Sequence, residues 1–203
     1  TNYNFSTIAS NTATNAVGGI FQDITGVTNL RNSIVADNVA PSSPDISGVI
    51  TSQDYNHVED TTGGTFLVSF GGEKGKTITT NFFALPNDVT GTDPQLGALA
   101  NNGGTTLTHL PSNASPVTNT IPNGTNDCGT TVTTSQNGNS RPQQTGCEKG
   151  ATERLGPLAA GALISGRVAA ADGRGIRNAV ITVSGGNLSQ PISVRTGTFG
   201  YYT

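Results

Sequence analysis

A repeat of 27 residues near the start of the chain limits the folds that this sequence can adopt. The segment STIASNTA at 6–13 aligns with SIVADNVA at 33–40, and GGIFQ at 18–22 and PDISG at 44–48 follow the two copies at nearly the same phase. Short apolar segments that recur at this spacing, joined by Asn- and Gly-rich corners, are typical of one turn of a parallel β-helix. The alternative is a β-sandwich in which the two copies are similar by chance.

The repeat assigns an inward or a corner position to the residues of the first 60 positions. Asn11 and Asn38 fall at equivalent corners, where Asn tolerates left-handed backbone and hydrogen-bonds locally. Asp37 and Asp45 also fall at corners, where Asp usually satisfies turn backbone. The residues predicted to point inward are Ile8, Ile20, Val27, Leu30, Ile34, Val35, Ile46, Val49 and Ile50.

Composition agrees with an all-β chain and excludes several classes of partner. Aromatic residues are 5% and charged residues 11% of the 203 residues, and there are 27 glycines. Thr, Val and Ile between Gly, Asn and Pro favour many short strands over long helices. A net charge of −3 with scattered basic residues gives no footprint for nucleic acid, and no run of about 18 apolar residues is present to span a membrane. Because the sequence contains no methionine, we expect a processed chain or a piece of a longer one.

The two cysteines, Cys128 and Cys147, bracket a loop rich in Gly, Asn, Thr and Ser. A disulfide between them would stabilise the fold by roughly 3 kcal/mol. The alternatives are a metal pair, for which neither further Cys nor nearby His ligands are present, and two free buried thiols. A disulfide implies an oxidising compartment, so we expect an extracellular or cell-surface protein. Asn-x-Ser/Thr triplets, the acceptor pattern for glycosylation, begin at Asn4, Asn113, Asn123 and Asn187.

The second half of the chain changes pattern twice. Two apolar runs at 66–70 and 82–85 flank a Gly/Lys turn and predict a hairpin, and residues 118–150 are predicted to be mostly loop. From 163 onward the sequence indicates strand, turn and strand: Ile164 to Val168, an Asp-Gly-Arg-Gly turn, then Ala179 to Val183. This order is typical of a small antiparallel sandwich, although about four strands are present where around seven are usual.

Three segments together resemble the C-terminal part of bacterial secreted right-handed β-helix proteins, which are often choice-of-anchor or adhesin-like surface proteins. They are NSIVADN…DISGVITSQDYN at 32–56, TDPQLGALANNGGTTLTHLPSNASPV at 92–117, and NSRPQQTGCEKGATE at 139–153. The tail, from SGRVAAADGRGIRNAVITVSGG to TFGYYT, resembles the start of a carboxypeptidase-regulatory-like, transthyretin-type sandwich. The resemblance implies an all-β chain with a right-handed parallel β-helix and a disulfide-stapled C-terminal cap at 1–155, a linker at 156–162, and an incomplete Ig-like or transthyretin-like sandwich at 163–203.

The chain departs from these family patterns in two places. His57 stands where the β-helix proteins usually have a small apolar residue, so this position is either re-used or faces solvent. The sandwich normally continues beyond Phe-Gly-Tyr-Tyr with several more strands. The remaining strands lie beyond this sequence, have been cleaved, or are supplied by another copy through strand addition.

The strongest candidate for a ligand site is the local cluster QDYNHVED at 53–60, which combines Asp54, His57, Glu59 and Asp60. β-Helices host pectate lyases and polygalacturonases, whose sites need clustered carboxylates with a basic residue or calcium. A solvated loop explains the same residues equally well, and His109 is expected to be a packed or capping residue. Gly-x-Ser-x-Gly, His-Glu-x-x-His and phosphate-loop motifs do not occur. We therefore predict no cofactor and no catalytic residue, with calcium at Asp-rich corners as the alternative.

These observations predict a non-enzymatic, extracellular structural or adhesin-like surface protein. Its expected partners are further copies of itself, glycans or other cell-surface groups. Strand addition between copies would join them head to tail, and a heterologous contact that does not close yields a filament. The alternative is a carbohydrate-active β-helix enzyme, either a polysaccharide lyase or a glycoside hydrolase, or a sugar-binding module.

Overall fold

The computed structural model describes residues 1–23, 25–68, 85–156, 164–184 and 191–203, and for residues 65–68 it describes the backbone only. Within these ranges the regular structure is entirely β, with no helix, which confirms the predicted all-β class. None of the described residues therefore belongs to a helix long and apolar enough to cross a membrane. The chain divides into two compact units, Thr1–Gly156 and Pro157–Thr203.

The strands of the described residues are short, as the Thr- and Gly-rich composition predicts. They are β1 (Asn2–Asn4), β2 (Thr7–Ala9), β3 (Ile20–Phe21), β4 (Thr28–Arg31), β5 (Ile34–Ala36), β6 (Ile46–Ser52), β7 (His57–Val58), β8 (Gly64–Val68), β9 (Val89–Thr90), β10 (Ile121–Pro122), β11 (Gly146–Cys147), β12 (Gly166–Arg167), β13 (Val180–Val183), β14 (Ile192–Arg195) and β15 (Tyr201–Tyr202).

Two parallel sheets organise the first unit. One has the order β1-β4-β6-β3, with β8 also paired to β6, and the other has the order β2-β5-β7-β9. Tyr3 pairs with Leu30 and Ile8 pairs with Val35, so the two sequence copies lie side by side in the register that their alignment predicted. The same offset of 27 residues separates Ser6 from Ser33, whose hydroxyl accepts a hydrogen bond from the Ser6 backbone N–H.

The core between these strands contains most of the residues predicted to point inward. Six buried side chains form it, with Tyr3 and Ile8 packed against them: Ile20, Leu30, Val35, Ile46, Ile50 and Val58. Three of the predictions are wrong. Val27 and Val49 are 63% and 39% exposed, and Ile34 is buried on the opposite face of its strand. Successive strand residues point to opposite faces, so Ile34 and Val35, or Val49 and Ile50, cannot both face the core.

The corners use a different residue from the one predicted. Left-handed backbone occurs at Ser10 and Asp37, with φ of 60° and 56°, one position before Asn11 and Asn38. Asn38 instead bonds across the repeat, because its Oδ1 accepts from the backbone N–H and the side-chain amide of Asn11 at 3.0 and 2.9 Å. Asp45 satisfies corner backbone as predicted, since its Oδ2 accepts the Asp60 N–H at 2.8 Å.

Residues 92–156 do not sit at the end of the parallel strands, as a cap would, but pack along the outward face of β2-β5-β7-β9. Val117 and Leu96 contact Ile34 and Ala36, the two β5 side chains that point away from the core. Outward packing explains why the outer face of β5 is as apolar as its inner face. The prediction of an end cap is therefore corrected to a flanking segment, the name used below for residues 92–156.

A disulfide joins Cys128 to Cys147 inside the flanking segment, as predicted. Both cysteines are buried with Ile121 and Phe5, so the bond lies against the residue that follows β1. The predicted hairpin at 66–85 falls largely outside the described residues. Its first run begins in β8, which pairs in parallel with β6.

The second unit contains two antiparallel strand pairs in its described residues. β12 pairs with β15, and β13 pairs with β14. The predicted strands near 164–168 and 179–183 correspond to β12 and β13. The Asp-Gly turn between them is present, with Gly173 at φ 83° and its N–H bonded to the Ala170 carbonyl at 2.9 Å.

Candidate functional site

The structure separates the four residues of the predicted cluster. Asp54 accepts hydrogen bonds from the backbone and side-chain amide of Asn87, at 3.1 and 2.9 Å. His57 is completely buried in β7, with Nε2 2.7 Å from the Thr92 carbonyl. Asp60 accepts the Thr62 N–H at 2.8 Å. Within the described part of the chain, Asp54, His57, Glu59 and Asp60 do not form a group of ligands for a metal ion.

His57 has the properties of a neutral core residue. Burial lowers its pKa, which favours the uncharged imidazole. Its Nδ1 is buried and has no hydrogen-bond partner among the described residues. The sequence comparison expected a small apolar residue at this position. The His57 ring does occupy an apolar position, because it lies on the same face of the sheet as its strand neighbour Ile34.

Glu59 instead belongs to a cluster with Asp37 and Asp93, which we call the acid triad. Each residue lies just beyond the carboxyl end of a strand, Asp37 after β5, Glu59 after β7 and Asp93 after β9. Because these strands are parallel neighbours, the residues that follow them meet at one edge of the sheet. One carboxylate oxygen from each residue lies within 4.8 Å of the other two.

The carboxylates of the acid triad repel one another. Burial raises the pKa of Asp37, and the charge of Asp93 raises it further, while His109 lowers it. Burial also raises the pKa of Glu59, against the backbone N–H of Asp37, which donates to Glu59 Oε2 at 3.0 Å. Three carboxylates are oxygen ligands of the kind calcium takes, although calcium needs six to eight oxygens in all.

A groove of about 330 Å³ lies next to the acid triad. Its lining comes from β2 and the corner after it, and from two parts of the flanking segment, a hairpin-like loop at 96–111 and residues 136–152: Thr7, Ile8, Ala9, Asn11, Leu99, Leu107, Thr108, His109, Gln136, Ala151 and Thr152. Leu99 and Leu107 are each 55% exposed and belong to the two arms of the loop, whose Ala100 and Thr108 exchange backbone hydrogen bonds at 3.1 and 2.9 Å. A groove with exposed leucines and polar groups is able to hold a small ligand.

Charged side chains of the flanking segment itself form a separate, buried group. Arg141 donates to Glu153 Oε1 at 2.9 Å and to the Gly150 carbonyl at 2.7 Å, and its guanidinium lies 4.1 Å from the ring centroid of Phe5. Burial lowers the pKa of Arg141 to about 10, while the charge of Glu153 opposes that shift. Burial and then the charge of Glu153 raise the pKa of Glu148 to about 7.

Residues 149–151, which we call the strap, cross the second sheet from β7 to β2, in the reverse of the order of these strands in the sequence. Lys149 Nζ donates to the Asn56 carbonyl at 3.1 Å, just before β7. Gly150 N–H donates to the Asn32 carbonyl at 2.7 Å, before β5, and Ala151 N–H donates to Thr7 Oγ1 of β2 at 2.9 Å. Three consecutive residues thus bond to three successive strand positions.

The strap lysine is an unusual anchor because it is almost completely buried. Lys149 is 1% exposed, and its ammonium also donates to the Asn87 carbonyl at 2.8 Å. Burial lowers its pKa to about 8, and the charges of Asp88 and Asp54 oppose the shift. The pKa of Asp88 is itself raised to about 6, chiefly by burial. Sequence reasoning gave no role to Lys149, Arg141, Glu148 or Glu153.

The predicted glycosylation positions differ in their surroundings. Asn113 and Asn123 are exposed, and Asn187 lies outside the described residues. The Asn4 side chain is occupied, since its amide donates to Asp127 Oδ2 at 3.0 Å and its Oδ1 accepts from Asn32 at 2.9 Å. A glycan on Asn4 would break these bonds. His109, predicted to be a packed or capping residue, lines the groove, with Nδ1 2.8 Å from the Gly97 carbonyl.

Comparison with protein-family models, with curated proteins and with solved structures finds no match to this chain. The candidate sites are therefore defined by their geometry alone: the buried strap with its charged supports, and the groove with the acid triad.

Proposed function

We propose that this protein is a non-enzymatic, adhesin-like structural component of an extracellular surface. In this proposal the first unit is a right-handed parallel β-helix braced along one side, and the second is a transthyretin-type sandwich. The observation that carries the proposal is the strap, whose Lys149, Gly150 and Ala151 bond to strands in the order β7, β5 and β2.

A strap of this kind has a mechanical consequence. Stacked parallel strands contact only their neighbours, so such a rod can open one turn at a time. A segment bonded to three strand positions couples those turns, because separating any two of them also breaks buried contacts of the strap. The ion pair of Arg141 and Glu153, whose side chains are each 1% exposed, supports the strap, because Arg141 also donates to the Gly150 carbonyl. This bracing is suited to a stalk or matrix component that bears load.

The Cys128–Cys147 disulfide supports the extracellular part of the proposal. Disulfides persist in oxidising compartments and are rare in reducing ones. The bond closes a loop of the flanking segment and lies against Phe5, so it ties the segment that carries the strap. The disulfide would persist in an extracellular protein, whereas a reducing environment would cleave it.

Single-molecule force spectroscopy tests the structural role. The full chain is placed between marker domains of known unfolding force and pulled with the disulfide intact. We expect the first unit to unfold at a higher force than the markers and in one step, because the strap couples its strands. Stepwise opening at forces below those of the markers would contradict the proposal.

Electron microscopy of native material tests the hypothesis that copies join head to tail. Regular filaments with a subunit of this size would support strand addition between copies. Dispersed single particles at high concentration would contradict the filament and leave the load-bearing role to be tested by force alone.

The alternative function is that of a carbohydrate-active enzyme or sugar-binding module. The acid triad favours it, since glycosidases work with paired carboxylates. A saccharide panel should release no products if the structural proposal is correct. If products appear, Asp37→Asn and Glu59→Gln should abolish them for a site at the triad, and Asp54→Ala with His57→Ala for a site at the cluster predicted from the sequence.

A further inference from the structure

Strand β2 lies at the edge of its sheet, and its free edge lines the groove. In the order β2-β5-β7-β9, β2 has a neighbour on one side only. The backbone groups of successive strand residues point alternately to the two edges of a strand. Ile34 N–H donates to the Ser6 carbonyl at 2.8 Å, so Ser6 and Ile8 face β5, whereas Thr7 and Ala9 face away from it. Thr7, Ile8 and Ala9 all line the groove.

The backbone of this free edge has unused hydrogen-bonding groups. Among the described residues, none bonds to the backbone N–H or carbonyl of Thr7 or of Ala9. Both residues are half-buried, so their backbone is accessible from the groove. An unpaired strand edge is a template for a further strand, whose main chain supplies the missing partners.

The flanking segment offers apolar side chains to such a strand. Leu99 and Leu107 line the same groove, and each is 55% exposed. The flanking segment already covers the outward face of β5, where Leu96 and Val117 contact Ile34. A strand added beside β2 would meet Leu99 and Leu107 with its outward side chain, as β5 meets Leu96 and Val117 with Ile34.

Ser6 indicates the direction of the added strand. Ser33 Oγ accepts the Ser6 N–H from the neighbouring parallel strand at 3.1 Å and donates to the Arg31 carbonyl at 2.7 Å. Ser6 repeats the second of these bonds, since its Oγ donates to the Asn4 carbonyl at 3.2 Å. No residue in the described part of the chain donates to Ser6 Oγ, so its lone pairs suit an N–H of a strand that lies parallel to β2.

We propose that the groove binds an extended segment of another protein, which adds to β2 as a further parallel strand. The segment contains an adjacent pair of aliphatic residues, in the pattern Ser-Ile-Val-Ala that β5 shows at 33–36. The first aliphatic residue packs between Leu99 and Leu107. The second points to the core side of the sheet, beside Ile8, which is itself only partly buried there. This activity goes beyond the structural role proposed above and does not depend on it.

The source of the segment follows from where this pattern occurs in the chain. Ser-x-aliphatic-Ala is found at 6–9 and at 33–36, which are β2 and β5 with the serine before each. Both strands are already paired within the first unit, so they are not available to a second copy. The groove volume of about 330 Å³ is at the small end of ligand sites, which suits a short extended segment.

Fluorescence anisotropy of a labelled peptide, titrated with the full chain with its disulfide intact, tests the proposal. The probe is the octapeptide Ser-Ile-Val-Ala-Asp-Asn-Val-Ala, which has the sequence of residues 33–40. We expect saturable binding of the probe and at least about tenfold weaker binding of a scrambled octapeptide of the same composition. Absence of saturable binding, or equal binding of the scrambled peptide, would overturn the proposal.

Methylation of single peptide nitrogens separates strand addition from apolar binding. With the probe laid on β2 as β2 lies on β5, its serine is beside Ser6. The N–H of its first valine then points at the Thr7 carbonyl, whereas the N–H of its isoleucine points away from β2. A methyl group on the valine nitrogen should weaken binding at least about tenfold, and the same group on the isoleucine nitrogen by less than about twofold. Equal effects of the two methyl groups would contradict strand addition.

Variants of the chain localise the binding to the groove. Leu99→Ser combined with Leu107→Ser should weaken binding of the probe about tenfold. The matched control is Leu155→Ser, a leucine that is 48% exposed and outside the groove lining, and it should leave the affinity unchanged. Because the two groove leucines are more than half exposed, we expect the double variant to fold, and guanidinium unfolding checks this. Unchanged affinity in the folded double variant would place the peptide elsewhere and refute the proposal.

Sedimentation of the chain without peptide tests the other occupant of the groove. We expect no self-association through the groove at the concentrations of the titration. Self-association that the Leu99→Ser and Leu107→Ser double variant abolishes would place a second copy on β2, and the proposal of a separate partner would then be wrong.

Discussion

Replacement of Gly150 by alanine is the sharpest perturbation of the strap. Gly150 has φ of 85°, and a Cβ built at this position would lie 2.6 Å from Thr7 Oγ1 and 2.7 Å from Ile34 Cδ1. Both atoms belong to strands that the strap crosses. An added methyl group must therefore displace either the strap or the sheet, and the Ala151 bond to Thr7 Oγ1 is the first to be affected.

The cost of this methyl group has two separable parts. Left-handed backbone costs an alanine about 1–2 kcal/mol relative to glycine. Forcing a methyl group into a filled site costs about 1–3 kcal/mol more, because neighbours must leave their rotamers or the backbone must shift. The free energy of unfolding of Gly150→Ala should therefore fall by about 2–5 kcal/mol.

Gly124 supplies a control with almost identical backbone. Its φ is 84°, it lies in the same flanking segment, and a Cβ there would meet no atom within 4 Å. Gly124→Ala should therefore show only the backbone cost of about 1–2 kcal/mol. Guanidinium unfolding followed by far-UV circular dichroism measures both variants, because the chain has no tryptophan. Equal losses for the two variants would refute close contact between the strap and the sheet.

Three further predictions concern the flanking segment. Arg141→Met should destabilise by about 3–5 kcal/mol because it leaves Glu153 buried without its cation; the same change at Arg31, whose ion pair is partly exposed, should cost under about 1 kcal/mol in the same assay. Reduction of the disulfide should lower the free energy of unfolding by roughly 3 kcal/mol, and an unchanged guanidinium midpoint would contradict its role. Stability should fall as pH rises from about 4.5 to about 7, because native Glu148, with its pKa raised to about 7, holds a proton that the unfolded chain has already released; Glu148→Gln should flatten this part of the pH profile.

The sequence repeat predicted the pairing of strands correctly. The alignment of 6–13 with 33–40 appears in the structure as the register of β2 against β5, with Ile8 beside Val35. Such a register can be predicted from one sequence because stacked copies must present similar residues to the same core layer. The disulfide could also be predicted from the sequence, since a polar loop without apolar periodicity has few other interactions to order it.

The sequence was a poorer guide to which face of each strand is buried. An apolar pair such as Ile34–Val35 is consistent with a single buried face only if one of the two residues is exposed, and here neither is. The second buried face exists because the flanking segment, more than 80 residues further along the chain, brings Val117 to Ile34. No local pattern near Ile34 carries that information, so an outward-packed segment was predicted as an end cap.

The acid triad could not be predicted from the sequence for a related reason. Each of its residues has a local explanation as a turn residue, and only the parallel order β5-β7-β9 makes the three turns coincide. Local clustering in sequence instead favoured residues 53–60, whose side chains point to different faces of a strand and a corner.

The charged run Glu148, Lys149 and Glu153 resembles a solvated surface loop by every compositional criterion, yet each of these residues is at most 2% exposed. Burial of such groups is tolerated only where their polar atoms find partners. Lys149 donates to the remote carbonyls of Asn56 and Asn87, whereas Glu148 and Glu153 accept hydrogen bonds from within the flanking segment. If the strap moved by one strand, Lys149 and Gly150 would lose their hydrogen bonds to the carbonyls of Asn56 and Asn32. The strap therefore has one preferred position on the sheet. Apolar contacts alone would allow such a shift along a repetitive sheet, because neighbouring turns present similar side chains. The buried charges thus supply the positional specificity that the repeat itself lacks.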